Sequence, residues 1–349
     1  MMLNQDISTQ KALKTMQQSS SKWTWIKRIL TGCFFILVPV FLFILIKHVD
    51  WHEVKQALQN VKLTTLLLGL AIAFVSYNVY GSYDVLGRKY SGHSLPVRQI
   101  LCVAQVCYAF TLNLSYWVGG FALRFRLYSR LGLDTPTITK VFTLSVITNW
   151  LGYMVLAGII FSLRLPDLPE NWKIGEAGLQ AVGILLLLVA SSYLLACKFA
   201  KRRSWQLFGN QVTLPSFSLA LTQAGLAAFN WSLMALLIFV LLPAKVSFLT
   251  VLGILLISSM AGAIAHIPAG LGILEAIFVA MLQDQFSHGT ILAALIGYRV
   301  IYFLIPLGIA TITYLILESR AKKLRATNAV SSKTPEPSTD IRTPVSSRS

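Results

Sequence analysis

The chain has 349 residues, of which 55% are hydrophobic and only 12% charged, and it carries a net charge of +17. Its mean hydropathy is +0.66. A soluble globule of this length needs far more charged surface, so that class is excluded. Nucleic-acid binding is excluded as well. The basic residues do not form one face but sit in short clusters beside apolar runs, as the positive-inside rule expects of a membrane protein.

In chain order, Met1–Ser21 is too polar for a cleaved signal. Lys11, Lys14, Lys22, Lys27 and Arg28 then precede the first apolar run and place the N-terminus in the cytoplasm. Apolar runs follow at about 29–46, 63–84, 99–118, 138–163, 179–197, 218–242, 247–263, 271–286 and 290–317. Most approach or exceed the roughly 20 residues that cross a 30 Å hydrocarbon layer. The cluster Arg320, Lys322, Lys323, Arg325 holds the C-terminal end in the cytoplasm too, so the crossings must be even in number and some runs fold back.

Basic clusters on both sides of run 99–118 (Arg88, Lys89, Arg98 before, Arg124, Arg126, Arg130 after) argue against a simple crossing there. Residues 97–133 are expected to form a re-entrant hairpin entering from the cytoplasm and turning near Asn113–Gly120. Bent backbone at that depth is tolerated only inside protein or a wet cavity. The next helix is expected to start with Thr135 as N-cap and Pro136 at its first position. Asp167, Glu170 and Glu176 mark an external loop, and Lys198, Lys201, Arg202 and Arg203 an internal one. Runs 247–263 and 271–286 have no Lys or Arg between them and form a second hairpin, entering from outside and turning at His266–Gly272. The expected fold is therefore an all-α polytopic membrane protein with about six full spans and two oppositely oriented re-entrant hairpins.

Each half reads span, span, hairpin, span, and a shift of 151 residues brings the halves into register, laying Val118–Arg124 on Ala269–Glu275. An inverted repeat with broken helices near the midplane is a transporter pattern. The expected organisation is a basic cytoplasmic segment 1–28, repeats 29–163 and 164–317, and a cytoplasmic tail 318–349. The tail is basic at first and, from Ala326, rich in Ser, Thr and Pro without apolar periodicity, hence disordered.

Ionisable residues within spans cost several kcal/mol and are functional candidates by default. Glu275 follows the Pro268, Gly270, Gly272 break. It either meets a cationic headgroup or a proton, or forms an internal salt bridge or accepts backbone N–H groups freed at the break. Arg299, between Tyr298 and Tyr302 in the last span, either grips phosphate bidentately or pairs with Glu275. Arg124 is expected below the tip of the first hairpin, at Gly119–Gly120, with Arg126 and Arg130 nearer the surface; they either draw anionic headgroups into a groove or act as a positive-inside anchor on surface lipid. Asn113 and His266 complete the candidate binding set, each with a helix-end role as its alternative. Cys33, Cys102, Cys107 and Cys197 lack ligand-like spacing and read as apolar thiols. Neither a catalytic triad, a metal cluster nor an ATP-binding loop is legible, so no cofactor, metal or catalytic residue is expected.

The pattern Asn113, Gly119-Gly120, Arg124, then Ile267-Pro-Ala-Gly-Leu-Gly with Glu275, then Tyr298-Arg299 with Pro306, resembles the lysylphosphatidylglycerol synthase transmembrane-region family over about 29–317. Its YbhN-like bacterial inner-membrane branch is the most similar. The usual Pro-Gly-Gly-Leu-Gly stands here as Pro268-Ala269-Gly270-Leu271-Gly272. The resemblance implies the membrane half of MprF-type proteins, which moves aminoacylated phosphatidylglycerol between leaflets. After Leu317 no room is expected for a soluble aminoacyl-transfer domain. The expectation is thus an inner-membrane protein that translocates or handles phospholipid without an enzymatic step, the headgroup lying between the two hairpin tips. A small-solute or ion-coupled transporter, an intramembrane enzyme using Glu275 and His266, and a scaffold for envelope lipid enzymes are the alternatives. A second copy of the chain and an envelope lipid enzyme are the protein partners left open.

Overall fold

The computed structural model describes residues 62–331 apart from 115, 167, 170–171, 173–174, 208–209, 244–245 and 266–269. The basic N-terminal segment, the run 29–46, Cys33, His266, Pro268 and the tail beyond Ser331 lie outside the described residues.

The long helices are α1 (Leu63–Ser91), α4 (Thr135–Ser162), α5 (Gly175–Phe199), α6 (Phe217–Leu241) and α7 (Phe248–Ala265). The shorter ones are α2 (Val97–Asn113), α3 (Leu123–Arg130), α8 (Ile273–Leu282) and α9 (His288–Arg299). The last, α10, covers Ile305–Ser331. Two π-helical stretches interrupt this order, Tyr116–Ala122 before α3 and Val300–Leu304 between α9 and α10. Six helical segments among the described residues are long and apolar enough to cross a membrane, counting His288–Ser319 as one. The protein is therefore an α-helical polytopic membrane protein. Five of these segments match expected full spans, and the sixth, α7, is the first arm of the second expected hairpin.

Three local boundaries differ from expectation. The fourth helix begins at Thr135 itself, because the Ile138 amide already bonds the Asp134 carbonyl, which makes Asp134 rather than Thr135 the capping position. Residues Ser204–Leu207 and Asn210–Thr213 form a short antiparallel ribbon, β1–β2, between α5 and α6. Two strands of four residues are too short to show a period-two pattern in an otherwise helical sequence. Helix α10 continues to Ser331, past the expected onset of irregular tail at Ala326.

The helices pack as two compact units that interleave along the chain. Among the described residues, one unit holds the chain up to Ala73, Leu151–Tyr193 and Ala228–Arg299. The other holds Phe74–Trp150, Leu194–Ala227 and the chain from Val300 onward.

In the first unit, α7 and α8 pack against each other as a helical hairpin, and α8 also packs on α9. Tyr153 of α4 donates to the Leu256 carbonyl of α7 at 2.8 Å. Close α4–α5 approach depends on Gly158 and Gly183, where an added Cβ would meet Leu187 at 2.6 Å and the Ser162 amide at 2.6 Å.

In the second unit, α2 packs against the π-helical stretch Tyr116–Ala122 and against α3, so residues 97–130 fold as a helical hairpin, and α10 packs on α2. Gly119 and Gly120, expected at the turn, lie instead inside its second arm. The first arm ends at Asn113 and the second begins at Tyr116. Gly119 is required by proximity: a Cβ there would sit 2.1 Å from the Thr111 amide nitrogen and 2.3 Å from the Phe110 carbonyl carbon. Backbone cannot yield as a side-chain tip can, so Gly119→Ala is expected to cost at least about 1–3 kcal/mol. Gly225→Ala in α6 meets nothing within 4 Å and serves as the control, neutral or stabilising by a few tenths to about 1 kcal/mol. Thermal unfolding in detergent distinguishes them; equal midpoints for both variants would refute the close-packing account.

Candidate functional site

The first constellation lies at the junction of α7 and α8. Gly270 and Gly272 have φ of +57° and +80°, a left-handed backbone that side-chain-bearing residues rarely adopt, so glycine is demanded at both points of this turn. Helix α8 then opens without a side-chain cap from Gly272, and its third residue, Glu275, reaches back to accept the Gly272 amide at 2.8 Å. A carboxylate in a first helical turn is favoured by the exposed amides and the helix dipole. The same carboxylate receives a fork from Arg299, the last residue of α9: Nε donates to Oε1 at 2.6 Å and Nη2 to Oε2 at 3.1 Å. Arg299 Nη2 also donates to the Gly270 carbonyl at 3.3 Å, so one guanidinium ties down both the carboxylate and the turn. Each side chain remains about 15% exposed, so the pair is not fully buried. Glu275, Arg299, Gly270 and Gly272 are thus brought together as the internal pair that was one of the two sequence readings. His266 and Pro268 of the same turn fall outside the described residues.

The second constellation, in the other unit, differs from expectation. Arg124 is 1% exposed and does not face a groove: it is locked to Asp84, which is fully buried. Its Nε donates to Asp84 Oδ2 and its Nη2 to Oδ1, both at 3.0 Å, while Nη2 also reaches Ser145 Oγ at 3.2 Å. Tyr128 donates to Asp84 Oδ2 at 2.8 Å. The cause is desolvation. A buried guanidinium without a counterion costs several kcal/mol, and a bidentate carboxylate with extra donors is the geometry that compensates it. Arg126 and Arg130 both pair with Glu318 of α10, at 3.1 and 2.9 Å through their Nη2 atoms, joining the hairpin's end to the last helix.

Asn113 closes a third set. Its amide donates to the Ala109 carbonyl at 2.8 Å and to the Phe303 carbonyl at 3.2 Å. Phe303 sits in the π-helical stretch, where the ordinary helical hydrogen-bond ladder is interrupted and carbonyls are freed. Tyr77 donates to the neighbouring Tyr302 carbonyl at 3.0 Å, and the Tyr302 hydroxyl meets Ser76 Oγ at 2.6 Å and the Tyr108 hydroxyl at 2.9 Å. Tyr80 stacks on Tyr108 with ring centroids 3.5 Å apart. A polar, aromatic layer thus supports the break in the last span. Asn113 belongs to it as a backbone ligand, and Tyr302 by its own hydroxyl. Cys107 and Cys197 are buried and Cys102 is half-buried, as expected of apolar thiols.

Asp84 is the residue that sequence reasoning missed. It is the last residue of the apolar run 63–84 and was not singled out, although the helix runs seven residues further, to Ser91. The rule that singled out Glu275, an acidic residue within a span, applied equally to it.

The family described as "Lysylphosphatidylglycerol synthase TM region" matches residues 29–310. The chain belongs to this family. It is 49% identical over 314 residues to the inner membrane protein YbhN of Escherichia coli K12, covering 90% of this chain and 99% of that one. It is 30% identical over 289 residues to a Synechocystis protein, slr0712, covering 81% of this chain and 88% of the other. It is 23% identical over 297 residues to the phosphatidylglycerol lysyltransferase of Staphylococcus haemolyticus, a match that takes in 82% of this chain but 33% of the enzyme. With its long apolar helices and an inner-membrane relative of this similarity, the protein is a multi-pass inner-membrane protein.

Proposed function

We propose that this membrane protein binds phospholipid headgroups at the α7–α8 junction and passes them between leaflets, with no covalent step. The observation that carries the reading is the Glu275–Arg299 pair: bidentate, partly exposed, and set on a glycine turn between two apolar helices. A phosphodiester is the natural competitor for such a guanidinium, since it accepts the same two-pronged fork. A headgroup amine or hydroxyl is the matching competitor for the carboxylate. Exchanging the internal pair for a headgroup keeps both ions compensated throughout, which avoids the penalty of a bare charge in hydrocarbon. Family membership, and a relative named for phosphatidylglycerol, support lipid over a water-soluble cargo.

The test is reconstitution of the full chain in liposomes carrying a trace of fluorescent phospholipid, with an impermeant quencher added outside. Faster exposure of inner-leaflet label than in protein-free vesicles is expected. Unchanged leaflet exchange for every phospholipid class, or uptake of small solutes instead, ends this reading.

A further inference from the structure

A separate feature lies in the second unit, at the end of α1 and the start of α6. A cavity of about 310 Å³ is lined there by Lys89, Tyr90, Lys140, Thr213 and Ser216 among others. Water occupies about 30 Å³ per molecule in the liquid, so this volume holds about ten waters, enough for a phosphate group and part of its hydration. The wall is built, not incidental. The Tyr90 hydroxyl donates to the Thr213 carbonyl and accepts from the Thr213 amide, fastening α1 to the last residue of the β-ribbon. The Leu214 amide bonds the Arg203 carbonyl, which brings the basic run Lys201-Arg202-Arg203 up to the same segment. Ser216 Oγ accepts the Leu219 amide at the start of α6, so the positive end of that helix is directed at the cavity rim.

Neither Lys89 nor Lys140 is ion-paired among the described residues, and no acidic residue lines the cavity. The segments 85–133 and 177–274 contain no Asp or Glu at all, while Asp134 is the acidic residue nearest Lys140 in sequence. Two lysines without an ion-pair partner on a half-open recess, beside the partial positive charge of a helix N-terminus, favour an anion there. Their position beside the basic clusters puts the site at the cytoplasmic surface by the positive-inside rule.

We infer that this cavity is a second binding site, for a phosphate group, supplied either by an anionic lipid headgroup or by a soluble phosphate. It does not rest on the Glu275–Arg299 reading, and Glu275→Gln is expected to leave it intact. The test uses the full chain in two arms. In nanodiscs of phosphatidylcholine with and without phosphatidylglycerol, native mass spectrometry counts retained phosphatidylglycerol. In detergent free of anionic lipid, calorimetric titration with inorganic phosphate reads the soluble ligand. Lys89→Gln and Lys140→Gln are each expected to weaken binding about fivefold, and the pair about twenty-five-fold, since a lysine near a membrane surface contributes about that factor toward an anion. Both lysines are exposed, so the variants keep the wild-type melting temperature. Loss confined to the lipid arm assigns a headgroup, and loss confined to the phosphate arm a soluble anion. The control, Arg98→Gln, removes one exposed charge outside the cavity lining and is compared with each single lysine variant. An equal loss in that control, or no lysine-dependent binding in either arm, overturns the inference.

Discussion

Asp84→Ala is expected to destabilise the folded protein by about 3–5 kcal/mol, because it strands the buried Arg124 guanidinium without its counterion. Asp84 accepts three of the hydrogen bonds in this cluster, two from Arg124 and one from Tyr128, so its removal also leaves the Tyr128 hydroxyl without that partner. Arg124→Lys is not a conservative change here, since an ammonium cannot reproduce the two-pronged contact with Asp84 while also reaching Ser145. The double variant Asp84→Leu with Arg124→Met removes both charges and is expected to recover most of the loss, as apolar replacements of buried ion pairs commonly do. Equilibrium unfolding in mixed detergent micelles, read as a double-mutant cycle, measures the coupling directly. If the two single losses simply add in the double variant, the pair is not a pair energetically and this account of the cluster fails.

Glu275→Gln and Arg299→Gln are expected to slow leaflet exchange by about 10–100-fold, the range corresponding to one lost hydrogen bond to a charged group. Their cost in stability should be smaller than that of Asp84→Ala, since each side chain is about 15% exposed and water can solvate the partner left behind. The glutamine at 275 can still accept the Gly272 amide, so the α8 cap survives and the turn is not lost with the charge. That separation is what makes the variant informative. Wild-type exchange in both variants, with folding intact, would reduce the pair to a clasp between α8 and α9 and remove the basis for the proposed lipid site.

Much of the architecture was readable because hydropathy is a local property. Among the described residues the long apolar runs became helices at nearly the predicted places, and the left-handed turn at Gly270 and Gly272 was visible from those two glycines. Glu275 and Arg299 stood out for the same reason, as ions in otherwise apolar surroundings. Arg124 stood out too, but its role was misread. A local pattern says that a buried charge needs compensation; it does not say from where. The carboxylate came from Asp84, forty residues earlier in the chain, and that choice was made by how α1, the first hairpin and α4 pack. The glycines of the first hairpin were misread in a related way. A glycine pair suggests a turn, whereas Gly119 serves a contact between arms, and only the opposing backbone at Thr111 reveals it.

The amino-acid order alone thus determined the membrane class, the spans and the residues too polar for their surroundings, because each follows from transfer of short segments out of water. Which of those polar residues meet, and which stay accessible, was decided by tertiary packing. Burial forces every ion to find a partner, and the partners are chosen by distances in space that the spacing along the chain does not encode. The same holds for the Lys89–Lys140 cavity, whose two cations lie on helices separated by the whole first hairpin.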